Sequence, residues 1–367
     1  MSDHSVYVPV ERMREFAGEI LLRMGVPRDD ARITAEILIA ADLWGIQSHG
    51  IAHLKLYHHR IKVGHQRATT DLQVVKETQT TAVADGGNGM GQVAGFRMMN
   101  LAIEKARQFG MGMVAVRNSS HYGAAGYYAK MATDLGLIGM SVTNARPAVT
   151  PTFGAYPLLG TNPIAFGAPT DEPFPFLFDA ATAIAARGKV EVADRAGKPT
   201  PAGWVIQEDG SLPTDSAQIL RDMVTKQAAL LPLGGPGELM GGHKGYGLGT
   251  MVEILSSCLQ SGTFLSGLTD FDAQGNPQPL RMGHMFLAIN VEAFLPLEEF
   301  KKNTGDLLRE LRAARKVPGA DRIYTAGEKE YYRAEQALAQ GLEITPGLQR
   351  DLESLQKELG LEYDLGF

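Results

Sequence analysis

Residues 113–136, MVAVRNSSHYGAAGYYAKMATDLG, run from an apolar strand through a polar loop into a helix. Met113, Val114, Ala115 and Val116 have strand length, and Arg117, Asn118, Ser119, Ser120 and His121 then supply hydrogen-bonding groups. Gly123, Ala124, Ala125 and Gly126 leave the first helical turn bare. A helix N-terminus carries unpaired N–H groups and a partial positive charge, so small residues there admit an anionic group such as a phosphate. The stretch reads as a ligand cradle, although a loop capped by Asn and Ser with a solvent-facing His has the same composition.

On the N-terminal side, Leu72, Val74 and Val75, then Ala82, Val83 and Ala84, have strand character, and ADGGNGMGQVAG leads into the helix FRMMNLAIEKARQFG. Strand, glycine loop, helix and strand are the parts of a dinucleotide-binding unit. The Rossmann fingerprint nevertheless wants G-x-G-x-x-G and an acidic residue closing the next strand. Here Gly87, Gly89 and Gly91 are spaced G-x-G-x-G, and Arg117 and Asn118 follow, which argues against that fold.

Further out, both ends of the chain are helical. Val10, Met13, Phe16, Ala17, Ile20, Leu21 and Met24 share a face that Gly25 ends; a second helix starts near Pro27, and IAHLKLYHHRIKVG is helical again. From Pro296 onward the chain is helical and charged, with Thr345 as N-cap and Pro346 at the first helical position of the last helix. The expected division is a helical unit from residues 1–70 and 296–367 around a β-rich middle of 71–295. Within that middle LIGMSVT and MFLAIN are strands, VEVADRAGKPTPAGWVIQEDGSLPT looks like a hairpin with an irregular excursion, and GGHKGYGLGTMVEILSSCLQSG repeats the glycine-loop-then-helix device.

A chain of 367 residues with 44% hydrophobic and 21% charged residues folds by burial. Its net charge of −6 and lack of a basic block point away from nucleic acid and membrane surfaces. The first fifteen residues lack a signal-peptide core, and no apolar run approaches the ~18 residues of a membrane span. A single cysteine, Cys258, excludes internal disulfides and Cys-based zinc sites; it is expected as an inert core thiol in a cytoplasmic protein.

Three of the nine histidines, His49, His121 and His243, lie in loops beside glycine and a hydroxyl or cationic neighbour. Imidazole titrates near neutrality, so it can take a proton from an alcohol and return one to a carbonyl, as hydride chemistry requires. His4, His58, His59 and His65 have polar or helical-surface contexts, and His284 suits a core or capping role. His49 and His53 are spaced to share a helix face as metal ligands, but Gly50 interrupts them and no third ligand is near, so no metal is expected. Arg117, Arg146, Arg187, Lys189 and Lys244 are the cations suited to an anionic substrate or phosphate.

Seven ordered motifs resemble the malate/L-lactate dehydrogenase family of NAD(P)-dependent oxidoreductases, which includes ureidoglycolate and sulfolactate dehydrogenases, 2,3-diketo-L-gulonate reductase and piperideine-2-carboxylate reductase. They are Ser48-His49-Gly50-Ile51, Arg117 to Gly123, Gly160-Thr161-Asn162-Pro163, Asp179-Ala180-Ala181-Thr182, Arg187-Gly188-Lys189, Gly242-His243-Lys244-Gly245 and Gly327-Glu328-Lys329-Glu330, and the resemblance spans residues 11–365. It implies a non-Rossmann, mixed-sheet α/β domain for NAD or NADP, a helical domain built from both ends, and a homodimer. It implies His49 as the proton donor oriented by Ser48, with His121 as the second candidate, and Thr161, Arg187 and Gly188 at the substrate. The dinucleotide would be held by His121, Tyr122, Gly123, Ala124 and Ala125, by Asp179, Ala180 and Ala181, by His243 and Lys244, and by Gly327 and Glu328.

Two positions depart from the pattern. Many relatives carry a carboxylate-clamping arginine four residues after the histidine, where this chain has His53, so the clamp must weaken, move to Arg187 or Lys189, or serve another substrate. Arg146 stands before Pro147, where some relatives hold the adenosine ribose with an acidic residue; a cation there favours the 2′-phosphate of NADP. The expected reaction interconverts a small 2-hydroxy acid and its 2-oxo acid, of malate or lactate type. The rivals are a reductase of a cyclic imino acid and, from another class, a metal-dependent hydrolase or lyase built on His49 and His53.

Overall fold

A computed structural model describes residues 4–366; residues 1–3 and 367, the outer tips of the expected helical unit, lie outside the described residues. The chain opens with β1 (Val6–Val8), α1 (Val10–Arg23) and α2 (Arg28–Leu43). Met13, Phe16, Ala17, Ile20 and Leu21 of α1 are buried against α2, and Gly25 ends the helix in a left-handed conformation at φ +86°. Two 3-10 turns, Gln47–His49 and Ile51–His53, lead into α3 (Leu54–Lys62).

Then follow β2 (Gln73–Glu77), β3 (Thr81–Asp85), α4 (Gly91–Phe109), β4 (Met111–Ser119), α5 (Ala125–Thr133), β5 (Leu137–Thr143), β6 (Ile164–Ala168) and β7 (Phe176–Ala180). Next come α6 (Arg187–Arg195), β8 (Val205–Gln207), α7 (Ser216–Thr225), β9 (Ala228–Leu230), α8 (Gly242–Ser256) and β10 (Met282–Asn290). The chain closes with α9 (Leu297–Ala313), α10 (Glu328–Gln340), β11 (Leu342–Ile344) and α11 (Pro346–Leu359).

The main sheet runs β2-β3-β4-β10-β5-β6-β7. Among the described residues its one parallel pair is β3 and β4, joined by the crossover helix α4; every other neighbour is antiparallel. This is a mixed α/β sheet and not a doubly wound parallel one, in agreement with the sequence. The glycine-rich loop has a packing role. A Cβ on Gly91 would lie 2.3 Å from the Ser120 carbonyl oxygen and 2.5 Å from that of His121. Ser120 Oγ accepts from Gly91 N–H at 2.9 Å and donates to the Gly89 carbonyl at 2.8 Å, so the glycines press this loop onto the His121 loop.

The two ends of the chain meet. β1 pairs antiparallel with β11, Val6 opposite Ile344 and Val8 opposite Leu342, and α11 packs on α1 and α3. Thr345 caps α11 by accepting from Leu348 N–H at 3.4 Å. One apolar cluster runs through α1, α2, α4, α5 and the sheet to Leu365, so the helical ends and the sheet share a core. A second cluster, with Val149, Val190, Val205, Ile219 and Leu230, lies beneath α6, α7, β8 and β9. Among the described residues no helix is long and apolar enough to cross a membrane.

Three local expectations are corrected. GKVEVADR is not a hairpin arm but α6: its Val190–Val192 alternation imitates a strand, yet only Val190 goes inside and Val192 is exposed. The partner of β8 is β9 instead. Cys258 is not a core thiol; α8 stops before it and a 3-10 turn presents it to solvent. Arg117, Asn118 and Ser119 belong to β4 rather than to a loop, with Asn118 left-handed (φ +51°) where the register against β10 shifts.

Candidate active site

The turn after α2 throws its polar side chains outward because its inner side is filled. Asp42 Oδ2 accepts from Ile51 N–H at 2.8 Å. A Cβ on Gly50 would fall 1.8 Å from Asp42 Oδ1, so the carboxylate sits directly on that glycine. With the backbone pinned there, Ser48 Oγ lies 2.9 Å from His49 Nδ1 and leaves Nε2 free for a ligand. Burial pushes the Asp42 carboxyl up to about 7.

His121, far off in sequence, arrives from the β4–α5 loop. Its ring centroid is 5.4 Å from His49 and 4.9 Å from His53, and His49 and His53 are 5.7 Å apart. Tyr57, one turn beyond His53 on α3, places its hydroxyl 2.8 Å from His121 Nδ1 and accepts from Gln92 Nε2 at 2.6 Å. A phenol already accepting from Gln92 has its proton free for His121 Nδ1, and that bond sets the Nε2–H tautomer. Desolvation lowers all three imidazoles from their ordinary value: His49 and His121 fall below it, and His53 goes down to about 4. The cluster is therefore neutral at pH 7. The rings are stacked, with interplanar angles of 16–28°, and among the described residues no group of His, Cys, Asp and Glu could hold a metal ion.

Ser48, His49 and His53 line a cleft of about 1170 Å³, together with Arg187, Gly188 and Lys189 from the start of α6. Imidazole and cations thus share one space large enough for a small organic acid and part of a cofactor. The Arg187 guanidinium donates to Glu191 at 3.0 Å, and Lys189 stands over the Trp204 ring at 5.7 Å. Thr161 is not among the lining residues; its carbonyl accepts from Thr182 N–H at 2.9 Å, near the end of β7.

The other sequence candidates fall into two further hollows. Asp179 and Gly327 line a cleft of about 130 Å³ with Trp44 and Gly126. Asp179 Oδ2 accepts from Gly126 N–H at 2.7 Å, so this chain's own carboxylate already holds the first turn of α5, which the sequence offered to a phosphate. Burial pushes Asp179 up to about 6. Tyr122 is buried and stacks on His284 at 4.5 Å, and Gly123, Ala124 and Ala125 are buried beside it. Ala180 closes β7 and Ala181 follows it. Glu328 is fully buried, paired with Arg322, and accepts from Thr325 N–H at 3.1 Å, so its carboxylate is structurally engaged.

His243 and Lys244 are in the first turn of α8 rather than in a loop, and line a cleft of about 500 Å³ with Gly234 and Gly241. A glycine-led helix start, an ammonium group and an imidazole around one hollow suit the diphosphate of a dinucleotide. Arg146 is half-exposed and ion-paired with Asp270. His284, as expected, is a core residue, with Nδ1 2.7 Å from Thr143 Oγ1. His65, expected near the surface, is instead largely covered beside Asp270 and Phe271.

Tyr57, Gln92 and Asp42 were missed as site residues. Tyr57 was visible as the residue four after His53 on the same helix face; Gln92 and Asp42 carry no local signal.

A family model described as malate/L-lactate dehydrogenase matches residues 8–353. The chain belongs to that family. It is 42% identical to the malate dehydrogenase of Pyrococcus horikoshii over 99% of this chain and 98% of that one. It is 38% identical to the L-sulfolactate dehydrogenase of Methanocaldococcus jannaschii, over 96% and 97%. The crystal structure of malate dehydrogenase from Entamoeba histolytica superposes with a TM-score of 0.94 at 43% identity, over 98% of this chain and 99% of that one.

Proposed function

We propose that this member of the malate/L-lactate dehydrogenase family interconverts a small 2-hydroxy acid and its 2-oxo acid, with His49 carrying the proton. The observation that carries the reading is the single cleft lined by both His49 and Arg187. The nicotinamide cofactor, when bound, supplies or takes the hydride. His49, neutral at pH 7 and oriented through Nδ1 by Ser48, takes the hydroxyl proton on Nε2 during oxidation and returns it to the carbonyl oxygen during reduction. Arg187, with the Gly188 backbone, receives the carboxylate, and the neutral His53 donates a hydrogen bond where a guanidinium is absent; Thr161 completes the substrate side.

His121 is the second candidate for the proton. Its Nδ1 is committed to Tyr57, and we assign it to positioning the reacting group through Nε2–H. The dinucleotide is assigned to His121–Ala125, Asp179–Ala181, the α8 start with His243 and Lys244, and the Gly327–Glu328 turn. The test is NAD(P)H absorbance across oxaloacetate, pyruvate, other 2-oxo acids and a cyclic imine: 2-oxo acid turnover supports the reading, and turnover of the imine alone replaces it.

Three finer points belong to the same proposal. A preference for NADP rests on Arg146, whose guanidinium Asp270 now holds, so a 2′-phosphate would have to compete with that carboxylate. Arg146→Ala is expected to lower kcat/KM for NADPH by about tenfold while sparing NADH, the loss of one exposed charged contact; equal effects on both cofactors, or none, would remove the preference. A homodimer is inferred from α8, which leaves Tyr246, Leu248, Met251 and Ile254 open to solvent beside Leu239 (96% exposed) and Met240 (76%). Ile254→Glu should convert dimers to monomers in sedimentation, and a wild-type chain that sediments as a monomer would contradict the inference. A cytoplasmic location fits the single cysteine.

A further inference from the structure

Tyr57 and Arg60 share one face of α3, and His53 caps the start of that helix four residues before Tyr57. Arg60 is only 7% exposed. Among the described residues no carboxylate forms an ion pair with it, and no acceptor takes a hydrogen bond from its guanidinium. The one carboxylate whose charge reaches it, Asp270, is already held by Arg146. A guanidinium stays charged in a protein interior, so one covered to this extent is normally paired.

Two neighbouring buried polar atoms are also short of partners. Gln92 Oε1 has none although its Nε2 reaches Tyr57, and His65 Nε2 has none although the backbone N–H of His65 donates to the Arg60 carbonyl at 2.8 Å. The charge of the Arg60 guanidinium reaches His53 and His121, where it opposes their protonation.

We infer that Arg60 receives the second anionic group, carboxylate or sulfonate, of a dianionic 2-oxo acid. The inference rests on the reading that such an acid is held at His49. Arg187 then takes the carboxylate beside the reacting carbon, and Arg60, two helical turns past His53, takes the group at the other end. That arrangement selects oxaloacetate-like acids over pyruvate.

The test compares wild type with Arg60→Met and Arg60→Lys, measuring kcat/KM for oxaloacetate and for pyruvate, KM for NAD(P)H, and the shift of Tm with malonate against acetate. Arg60→Met is expected to lose about 100-fold or more on oxaloacetate and less than about threefold on pyruvate, because only the dianion loses a buried partner. Arg60→Lys should recover part of that loss. Malonate should raise the Tm of wild type and not of Arg60→Met, whose unliganded Tm should not drop since no ion pair is broken.

An equal fall on both substrates, or a malonate shift that survives in Arg60→Met, overturns the inference. So does a loss confined to the KM for NAD(P)H, which assigns the anion to the cofactor phosphates. A wild-type enzyme that reduces neither acid sinks the dehydrogenase reading alone, and the malonate shift then decides the role of Arg60.

Discussion

His49→Ala is expected to lower kcat by about 10²–10⁴-fold, the contribution of a positioned proton carrier, while NAD(P)H binding followed by its fluorescence is unchanged. The pH dependence fixes the assignment. Burial favours the neutral imidazole, so the pKa of His49 lies below its ordinary ~6.5. The base form is the one populated above that pKa. In the oxidation direction kcat/KM should therefore climb with pH through a limb below about 6.5 and then level off; reduction, which needs the proton, should decline through the same limb. His49→Ala should abolish that limb in both directions. A limb that persists in His49→Ala and disappears in His121→Ala would move the proton to the other imidazole.

Gly50→Ala is expected to do nearly as much damage without touching a reacting group. The backbone there is ordinary extended chain (φ −90°, ψ −152°), so the penalty is purely steric. The new Cβ would lie 1.8 Å from Asp42 Oδ1 and 2.1 Å from its Cγ. Either the 47–53 turn moves, or Asp42 swings away and strands the Ile51 N–H at a cost of about 1–3 kcal/mol. Either result displaces His49, and a shift on the order of 1 Å costs about 10²-fold in rate. Thermal unfolding and kcat together should show a modest loss of Tm with a large loss of kcat; a variant with wild-type kcat would mean that the Asp42–Gly50 contact does not position His49.

Helix faces were legible because burial repeats every 3.6 residues: α1, α2 and the cap at Thr345 stand where the pattern places them. The rejection of a Rossmann unit was also legible, since glycine spacing and the residue closing the strand are both local features. What was not legible depends on contacts between distant segments. Nothing near His121 says that its ring stacks on His49 and His53, and nothing near Gly91 says that its missing side chain makes room for the His121 loop.

Short apolar alternation misled where one valine alone is buried, as in α6, and an apolar neighbourhood misled at Cys258 because the helix ends just before it. Asp42 escaped notice because a turn has no period, and Arg60 because helical spacing does not distinguish a solvated arginine from a buried one.

The central claim is that His49 and a nicotinamide cofactor meet across one bound acid. A crystal structure of the chain with the dinucleotide and oxamate, a 2-oxo acid analogue, tests it most directly. His49 Nε2 is expected within ~2.6–3.2 Å of the oxamate carbonyl oxygen, with Arg187 on its carboxylate. Oxamate bound with His121 Nε2 at that oxygen and His49 too far away to touch it would contradict the account.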